Sequence, residues 1–363
     1  MAHAATAPRR YVILTDGHLL DRRAKTAHGV IQYGRDEIAA VIDPQFAGRD
    51  VADALPRLGR SAPIVASVRE ALAFRPTSLL VGVANQGGFI PAPFRPHILD
   101  AIDARLEIVS GLHELLNDDA QFVERAKRSG SRLWDVRVPP DGIPLFSGAA
   151  YRVPQVVALA VGSDCAVGKK SVMIELERAA RAAGDHAEFV ATGQTGVLIA
   201  GKGIVVDRVI SDFITGAAEQ LVLAVAPDAD FALVEGQGSI YHPAYAPVTL
   251  GLLFGCAPDM LVLCVDASRE AIEEYGVPLP ALPEMICAHE ALLAPVKPAR
   301  VVAIAVNTWG LEDERARAVL AGAQQQTGLP ADDVVRHGGA TIWRALRNAA
   351  RSTAKRQANA AAR

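Results

Sequence analysis

The chain has 363 residues, half of them hydrophobic, and a formal net charge of −3 at pH 7. That length suits two globular domains of about 100–200 residues each, and the near-neutral charge, with no basic run interleaved with aromatics, gives no expectation of a nucleic-acid partner. The four cysteines, at 165, 256, 264 and 287, lack C-x-x-C spacing and nearby histidines at ligand intervals, which argues against a disulfide framework and gives an expectation of no metal site. No run reaches the roughly 18 apolar residues of a membrane span, and MAHAATAPRRYVILTDG holds no secretory apolar core, so the expectation is a cytoplasmic protein with no membrane partner.

In chain order, YVILTDG (11–17), EIAAVID (37–43), IVAS (64–67), SLLVGVA (78–84) and LEIVSG (106–111) are candidate strands. The segments between them are long enough for crossover helices, the βαβ rhythm of an open parallel sheet. A Rossmann-like topology is expected, but the first strand is not followed by G-x-G-x-x-G, so a dinucleotide site has little local support. NQGGFIP (85–91) follows a strand and is either a loop that closes over a ligand or a plain surface loop. PPDGIPLFSGAAY, from Pro139 to Tyr151, is dense in turn formers, and the domain boundary is set at about 148.

A second strand series follows: VVALAV (156–161), AEFVAT (187–192), FALVEG (231–236), MLVLCV (260–265) and VVAIAV (301–306). The expected division is therefore 1–148, 149–350, and a polar, alanine-rich tail at 351–363 taken as disordered. The first strand of this series runs into GSDCAVGKKS, and from Lys169 onward apolar residues at 172, 176, 179, 180 and 183 mark one face of a helix that Gly184 ends. A glycine-containing turn between a strand and a helix N-terminus is a phosphate-binding loop, because the first-turn N–H groups and the helix dipole favour an anion. Gly168 and Lys169 fit G-x-x-x-x-G-K-[ST]. Ser163 stands at the first glycine with Gly162 one place earlier, and Lys170 replaces the hydroxyl that would ligate magnesium, with Ser171 one residue late.

Other residues could carry chemistry. Glu235 in VEGQGS sits at a strand's C-terminal end, where open α/β sheets gather ligands, and is the first choice for an acid, a base or a metal ligand; the alternative is a solvated turn carboxylate or a cap. ATGQTGVLIAGKG (191–203), with Gln194, reads as a glycine-rich ligand loop or a plain hairpin. Asp212 in VISDF is a functional carboxylate or a helix N-cap. His242 in SIYHPAY could take a proton near neutral pH, although lone histidines are more often structural. Cys165, inside the loop, is either a nucleophile with its thiol acidified by the loop or a small side chain that a tight turn requires.

The combination GSDCAVGKKS, ATGQTGVLIAGKG, VISDFITGAAE, VEGQGSIYHPAY and VTLGLLFG resembles the family catalogued as a domain of unknown function, whose characterised activity is D-glutamate N-acetyltransferase. The similarity runs from YVILTDG to AVNT. The family's loop commonly reads GTDCxVGK, and Ser163 keeps the threonine's hydroxyl. The resemblance implies an α/β protein, a Rossmann-like N-terminal domain followed by a P-loop NTPase-like parallel α/β domain. It also implies an enzyme that moves an acetyl group from acetyl-CoA to the amine of D-glutamate or a related D-amino acid. The second half is also similar to dethiobiotin synthetase, whose VEG glutamate helps bind Mg²⁺, and this supports an ATP-dependent ligase or kinase as the alternative reading. A non-catalytic nucleotide or CoA sensor is a third.

Under the acetyltransferase reading Glu235 is the expected base, with Asp212 and His242 behind it. Gly162, Ser163, Asp164, Cys165, Ala166, Val167, Gly168, Lys169, Lys170, Ser171 and Gln194 are expected to bind the cofactor. The loop is expected to grip its phosphates while transfer occurs elsewhere. Direct transfer is preferred because nothing in the sequence places a histidine beside Cys165. ATP and Mg²⁺ enter only under the alternative, the partner is a small amino acid, and self-association is left open.

Overall fold

The computed structural model describes residues 8–361, apart from the side chains at 86 and 353–361. They form two compact units. One takes the chain up to Pro139 together with Gln194–Arg208; the other takes Pro140–Gly193 and the chain from Val209 onward.

The first unit is built on β1 (Arg10–Leu14), β2 (Glu37–Ile42), β3 (Ile64–Val65), β4 (Ser78–Val81), β5 (Glu107–Ser110) and β6 (Leu133–Asp135), paired in the order β3-β2-β1-β4-β5-β6. All its pairings are parallel, and this order is that of a doubly wound Rossmann sheet. Val12, Leu14, Leu79 and Val81 meet Phe94, Ile98 and Phe122 in a buried layer, because a parallel sheet covered on its faces buries its strands throughout.

The second unit is a six-stranded parallel sheet of β7 (Val156–Gly162), β8 (Ala187–Val190), β9 (Phe231–Val234), β10 (Met260–Asp266), β11 (Arg300–Asn307) and β12 (Ala331–Asp332). The order is β12-β11-β10-β7-β9-β8. β7 lies between β9 and β10, so the loop that follows it is flanked by the C-terminal ends of both. The helix Lys169–Ala182 leaves the loop with Val172, Met173, Leu176 and Ala180 buried, and the chain turns away at Gly184 with φ 76°. Trp343 packs edge-on against Phe231 and its Nε1 donates to Asp185 Oδ2 at 2.8 Å, which fastens the last helix to this sheet.

All ten expected strands are present. The two strands absent from the sequence reading, β6 and β12, are edge strands of three and two residues, LWD and AD, that form no apolar run. Three expectations about boundaries differ from what is observed. The turn-rich stretch from Pro140 belongs to the second unit rather than the first, because Glu219, in the helix Ile214–Leu223, accepts from Ser147 N at 2.7 Å and Ala150 N at 3.1 Å. Gly216 in the same helix allows Pro144 O to approach, and a Cβ there would stand 1.8 Å from that oxygen. The 191–203 stretch is not a hairpin: it contains the helix Gln194–Ala200, which joins the first unit, where Thr195 Oγ1 lies 3.2 Å from Thr26 Oγ1. The last helix, Ala340–Ala361, continues through most of the segment expected as a tail, consistent with the helix propensity of its alanines, arginines and lysine; residues 362–363 lie outside the described residues.

Among the described residues no helix is long and apolar enough to cross a membrane. Glu219 is only 2% exposed, and truncating it strands two backbone N–H groups. Glu219→Ala is expected to cost about 1–3 kcal/mol, the penalty for leaving the buried Ala150 N–H unsatisfied, read as a lower urea midpoint. An unchanged midpoint would show that the 140–152 connection is held by something else.

Candidate active site

The phosphate loop runs from Gly162 to Lys169 at the C-terminal end of β7. Its curvature requires a left-handed backbone at Ala166 (φ 55°) and Gly168 (φ 105°), conformations that cost little only for glycine. Lys169 turns its side chain back into the loop, and Nζ donates to Asp164 O at 2.6 Å while the residue is 6% exposed. Burial pulls this ammonium below the ordinary lysine value, and the neighbouring Cys165, Cys264 and Asp164 act in the opposite direction. Cys264 is itself pushed up to about 12 by burial, so it remains a thiol at neutral pH. Two glycines make space for the lysine. A Cβ on Gly162 would stand 3.1 Å from Nζ, and one on Gly236 would stand 1.8 Å from Ala160 O and 2.9 Å from Lys169 Cδ.

Asp164 is completely buried and fully engaged. Its Oδ1 accepts from Cys165 N at 2.6 Å; its Oδ2 accepts from Arg269 Nη1 at 2.7 Å and from Glu273 N at 3.0 Å. Arg269 Nη1 also donates to Cys165 O at 2.7 Å, so both backbone groups of the cysteine are fixed. Arg269 was missed in the sequence. Its only signal is position: it follows β10, the strand that pairs with β7, at the end of the sheet where ligands gather.

Glu235 lies at the end of β9, 5% exposed. Its Oε2 accepts from Thr192 N at 2.9 Å and Gly193 N at 3.0 Å, and its carbonyl accepts from Thr192 Oγ1 at 2.8 Å. It is neither a solvated turn carboxylate nor a helix cap; it ties the end of β8 to the end of β9. The segment after it folds onto the loop, because Ser239 Oγ donates to Ser163 O at 2.9 Å. A turn closed by His242 N to Ser239 O at 3.0 Å then places His242, 3% exposed, against Tyr245 and Tyr275 with ring centroids at 4.6 and 5.1 Å. Ala244 N donates to His242 Nδ1 at 3.2 Å, so the neutral ring carries its proton on Nε2.

This fold-back does what the sequence did not foresee. Ligand atoms of Asp164, Cys165 and His242 all lie within 4.8 Å of one another. A histidine therefore does stand beside Cys165, 77 positions away in sequence (242 − 165) but on the loop in space. With both Asp164 oxygens committed to Arg269 and to backbone N–H groups, the cluster is better described as a cysteine facing a histidine than as three vacant metal ligands.

The remaining expected residues divide. Ser163 is 1% exposed, and its Oγ has no hydrogen-bond partner among the described residues. Val167 is buried, Ala166 is exposed, and Lys170 and Ser171 are half-buried on the first turn of the helix. Asp212 is exposed in a short 3-10 turn, Ser211–Phe213, and is not an N-cap; Ile210 and Phe213 occupy those positions. Gln194 belongs to the first unit, where it packs so closely on Gly111 that a Cβ on that glycine would meet its Cγ at 2.5 Å. Neither Asp212 nor Gln194 is among the residues that the second unit brings together at its loop.

The side chains of Arg269 and Asp164 are 8% and 0% exposed. Arg269→Ala leaves a buried carboxylate without its cation and is expected to destabilise the second unit by about 3–5 kcal/mol, measured by denaturant unfolding. A loss below about 1 kcal/mol would mean that the pair is screened like a surface bridge.

Residues 144–343 match the family model described as "Domain of unknown function (DUF1611_C) P-loop domain", and 44–139 match its companion Rossmann-like domain. A D-glutamate N-acetyltransferase from Tritonibacter scottomollicae is 38% identical over 287 residues, 77% of this chain and 84% of that protein. One from Pseudoalteromonas sp. is 36% identical over 279 residues, 75% and 82% of the two chains. The crystal structure of a DUF1611 family protein from Anabaena variabilis aligns with a TM-score of 0.89 at 36% identity, covering 94% of this chain and 99% of that one. With family models matched across 44–139 and 144–343, and with this likeness to a solved DUF1611 protein over nearly its whole length, the chain belongs to the DUF1611 family.

Proposed function

We propose that this protein transfers an acetyl group from acetyl-CoA to the amine of D-glutamate or a closely related D-amino acid. The observation that carries the reading is the similarity, at 36–38% identity over three quarters of the chain, to two proteins named for that activity. The loop supports it in a specific way. Lys170 stands where a hydroxyl would ligate magnesium, and an ammonium cannot ligate a cation. The loop is therefore suited to holding negative charge without a metal, through Lys169 and the first-turn N–H groups of 168–171.

The chemistry required is modest. An amine attacks a thioester carbonyl, an oxyanion forms and collapses, and a thiolate leaves. A donor loop aimed at developing negative charge lowers that barrier, and a proton acceptor near the amine contributes roughly 10² to 10⁴ in rate. His242 lies beside the loop, where its Nδ1 accepts from Ala244 N and its Nε2–H is a donor rather than a proton acceptor. Glu235 spends Oε2 on two backbone amides, and Asp212 faces solvent.

Thiol release from acetyl-CoA, followed over D- and L-amino acids, is expected to show turnover with D-glutamate and little with L-glutamate. Lys169→Ala is expected to lower kcat/KM for acetyl-CoA by more than about tenfold, because a charge-assisted hydrogen bond contributes about 1.5–3 kcal/mol and about 1.4 is a factor of ten. Calorimetric binding of ATP·Mg²⁺ with none of acetyl-CoA would replace this reading by the ligase alternative. Binding of acetyl-CoA without turnover over the panel would favour a sensor.

A further inference from the structure

The loop contains a nucleophile that the proposed reaction, written as direct transfer, does not use. Cys165 is half-buried, outside any disulfide, and one residue from Asp164, whose carbonyl receives the Lys169 ammonium. Its N–H and C=O are both pinned, by Asp164 Oδ1 and by Arg269 Nη1, so the sulfur's position is set by a rigid backbone. His242 reaches it from the Ser239 turn with a ring nitrogen within 4.8 Å, and Tyr245 and Tyr275 hold the ring. Cys264, the other thiol beside Lys169, is fully buried and stays protonated. Ser163 Oγ is a buried hydroxyl at the same loop without a partner among the described residues.

We propose that Cys165, held by His242 and Lys169, is the acyl acceptor of the first half-reaction, so that the enzyme works through an acetyl-cysteine intermediate. The proposal rests on the acetyl-CoA reading and deepens it. In the first half, the Cys165 thiolate attacks the thioester carbonyl carbon; a bond forms to its sulfur, the bond to the sulfur of CoA breaks, and CoA leaves as the thiolate with that electron pair. In the second half, the neutral amine attacks the acetyl carbon, the carbon–nitrogen bond forms, and the Cys165 thiolate departs with its electron pair while the nitrogen gives its extra proton to solvent. His242, with its proton on Nε2 and a ring nitrogen within 4.8 Å of the sulfur, is the group placed to donate to the sulfur in its anionic states. Lys169 and the first-turn N–H groups of the helix receive the carbonyl oxyanion. A thiolate and a phosphate are both anions and compete for the same lysine and N–H groups. The loop therefore serves the reacting centre, and the phosphates of the donor lie outside it.

The decisive experiment needs no variant. The full-length protein is mixed with acetyl-CoA in the absence of amine and digested at low pH, and the peptides are read by mass spectrometry. One acetyl group on Cys165 is expected, with isotope exchange between labelled CoA and acetyl-CoA without amine and with parallel double-reciprocal lines when amine is added. Cys165→Ser is expected to lose the adduct and the exchange and to lower kcat by at least about 10²-fold, the scale of removing a group that acts in the chemical step. His242→Gln is expected to slow adduct formation by a similar factor. Cys287→Ser, an exposed thiol outside the loop, is expected to leave both unchanged. Turnover of acetyl-CoA with intersecting lines, no adduct and an active Cys165→Ser variant would overturn the intermediate while leaving the acetyltransferase reading intact. Absence of any acetyl-CoA turnover by the wild-type protein would overturn both. Stoichiometric zinc in the purified protein, lost on Cys165→Ser and unaccompanied by an adduct, would assign the cluster to a metal instead.

Discussion

The second unit is organised around the burial of one ammonium group. Taking a charge out of water costs several kcal/mol unless its partners are already in place, and for Lys169 they are. The carbonyl of Asp164 accepts a hydrogen bond from Nζ, the Asp164 carboxylate is clamped nearby by Arg269, and Gly162 and Gly236 leave room for the stem and the Nζ. None of these groups is adjacent to Lys169 in sequence except through the loop. They converge because β7 is a central strand, with β9 bringing Gly236 on one side and β10 bringing Arg269 on the other.

The same constraint explains why the second unit can gather chemistry from four segments. The loop supplies Asp164, Cys165 and Lys169; the β9 turn supplies Glu235; the fold-back supplies Ser239 and His242; the β10 exit supplies Arg269. Each is tied by a short hydrogen bond to backbone rather than by side-chain packing alone. That economy makes the site rigid, which is what preorganised stabilisation of a developing charge requires. It also gives the buried carboxylates structural work: Asp164 fixes the cysteine, and Glu235 joins the ends of β8 and β9.

Much of this was legible in the sequence, and the reasons differ by feature. The strands could be read because a covered parallel sheet writes itself as continuous apolar runs; β6 (LWD) and β12 (AD) could not, because each includes an aspartate and forms no apolar run, unlike the equally short β3 (IV). The loop could be read because its glycine, its lysine and the helix start are contiguous. The neighbours of Cys165 were hidden because the pairing of β7 with β9 and β10 sets them, and single-sequence patterning does not show strand order. The conformation of 191–203 was hidden for a related reason: four glycines in ATGQTGVLIAGKG suggest an open loop, whereas Gly193 serves the second unit by donating to Glu235 and Gln194 begins a helix of the first. Asp212 stands among apolar residues in the sequence, and the structure leaves it exposed and outside the N-cap positions.

The account makes the loop's positive charge act on Cys165, and the order of alkylation of the cysteines tests this most directly. Cys256 and Cys264 are buried, Cys165 is half-buried and Cys287 is exposed, so exposure alone would make Cys287 react first with iodoacetamide at neutral pH. The account predicts the reverse. Cys165 should be modified first, its rate should fall in Lys169→Met, and acetyl-CoA should protect it. Faster modification of Cys287, with Cys165 indifferent to both the lysine and acetyl-CoA, would contradict the central claim that this loop is built to hold a reactive anion.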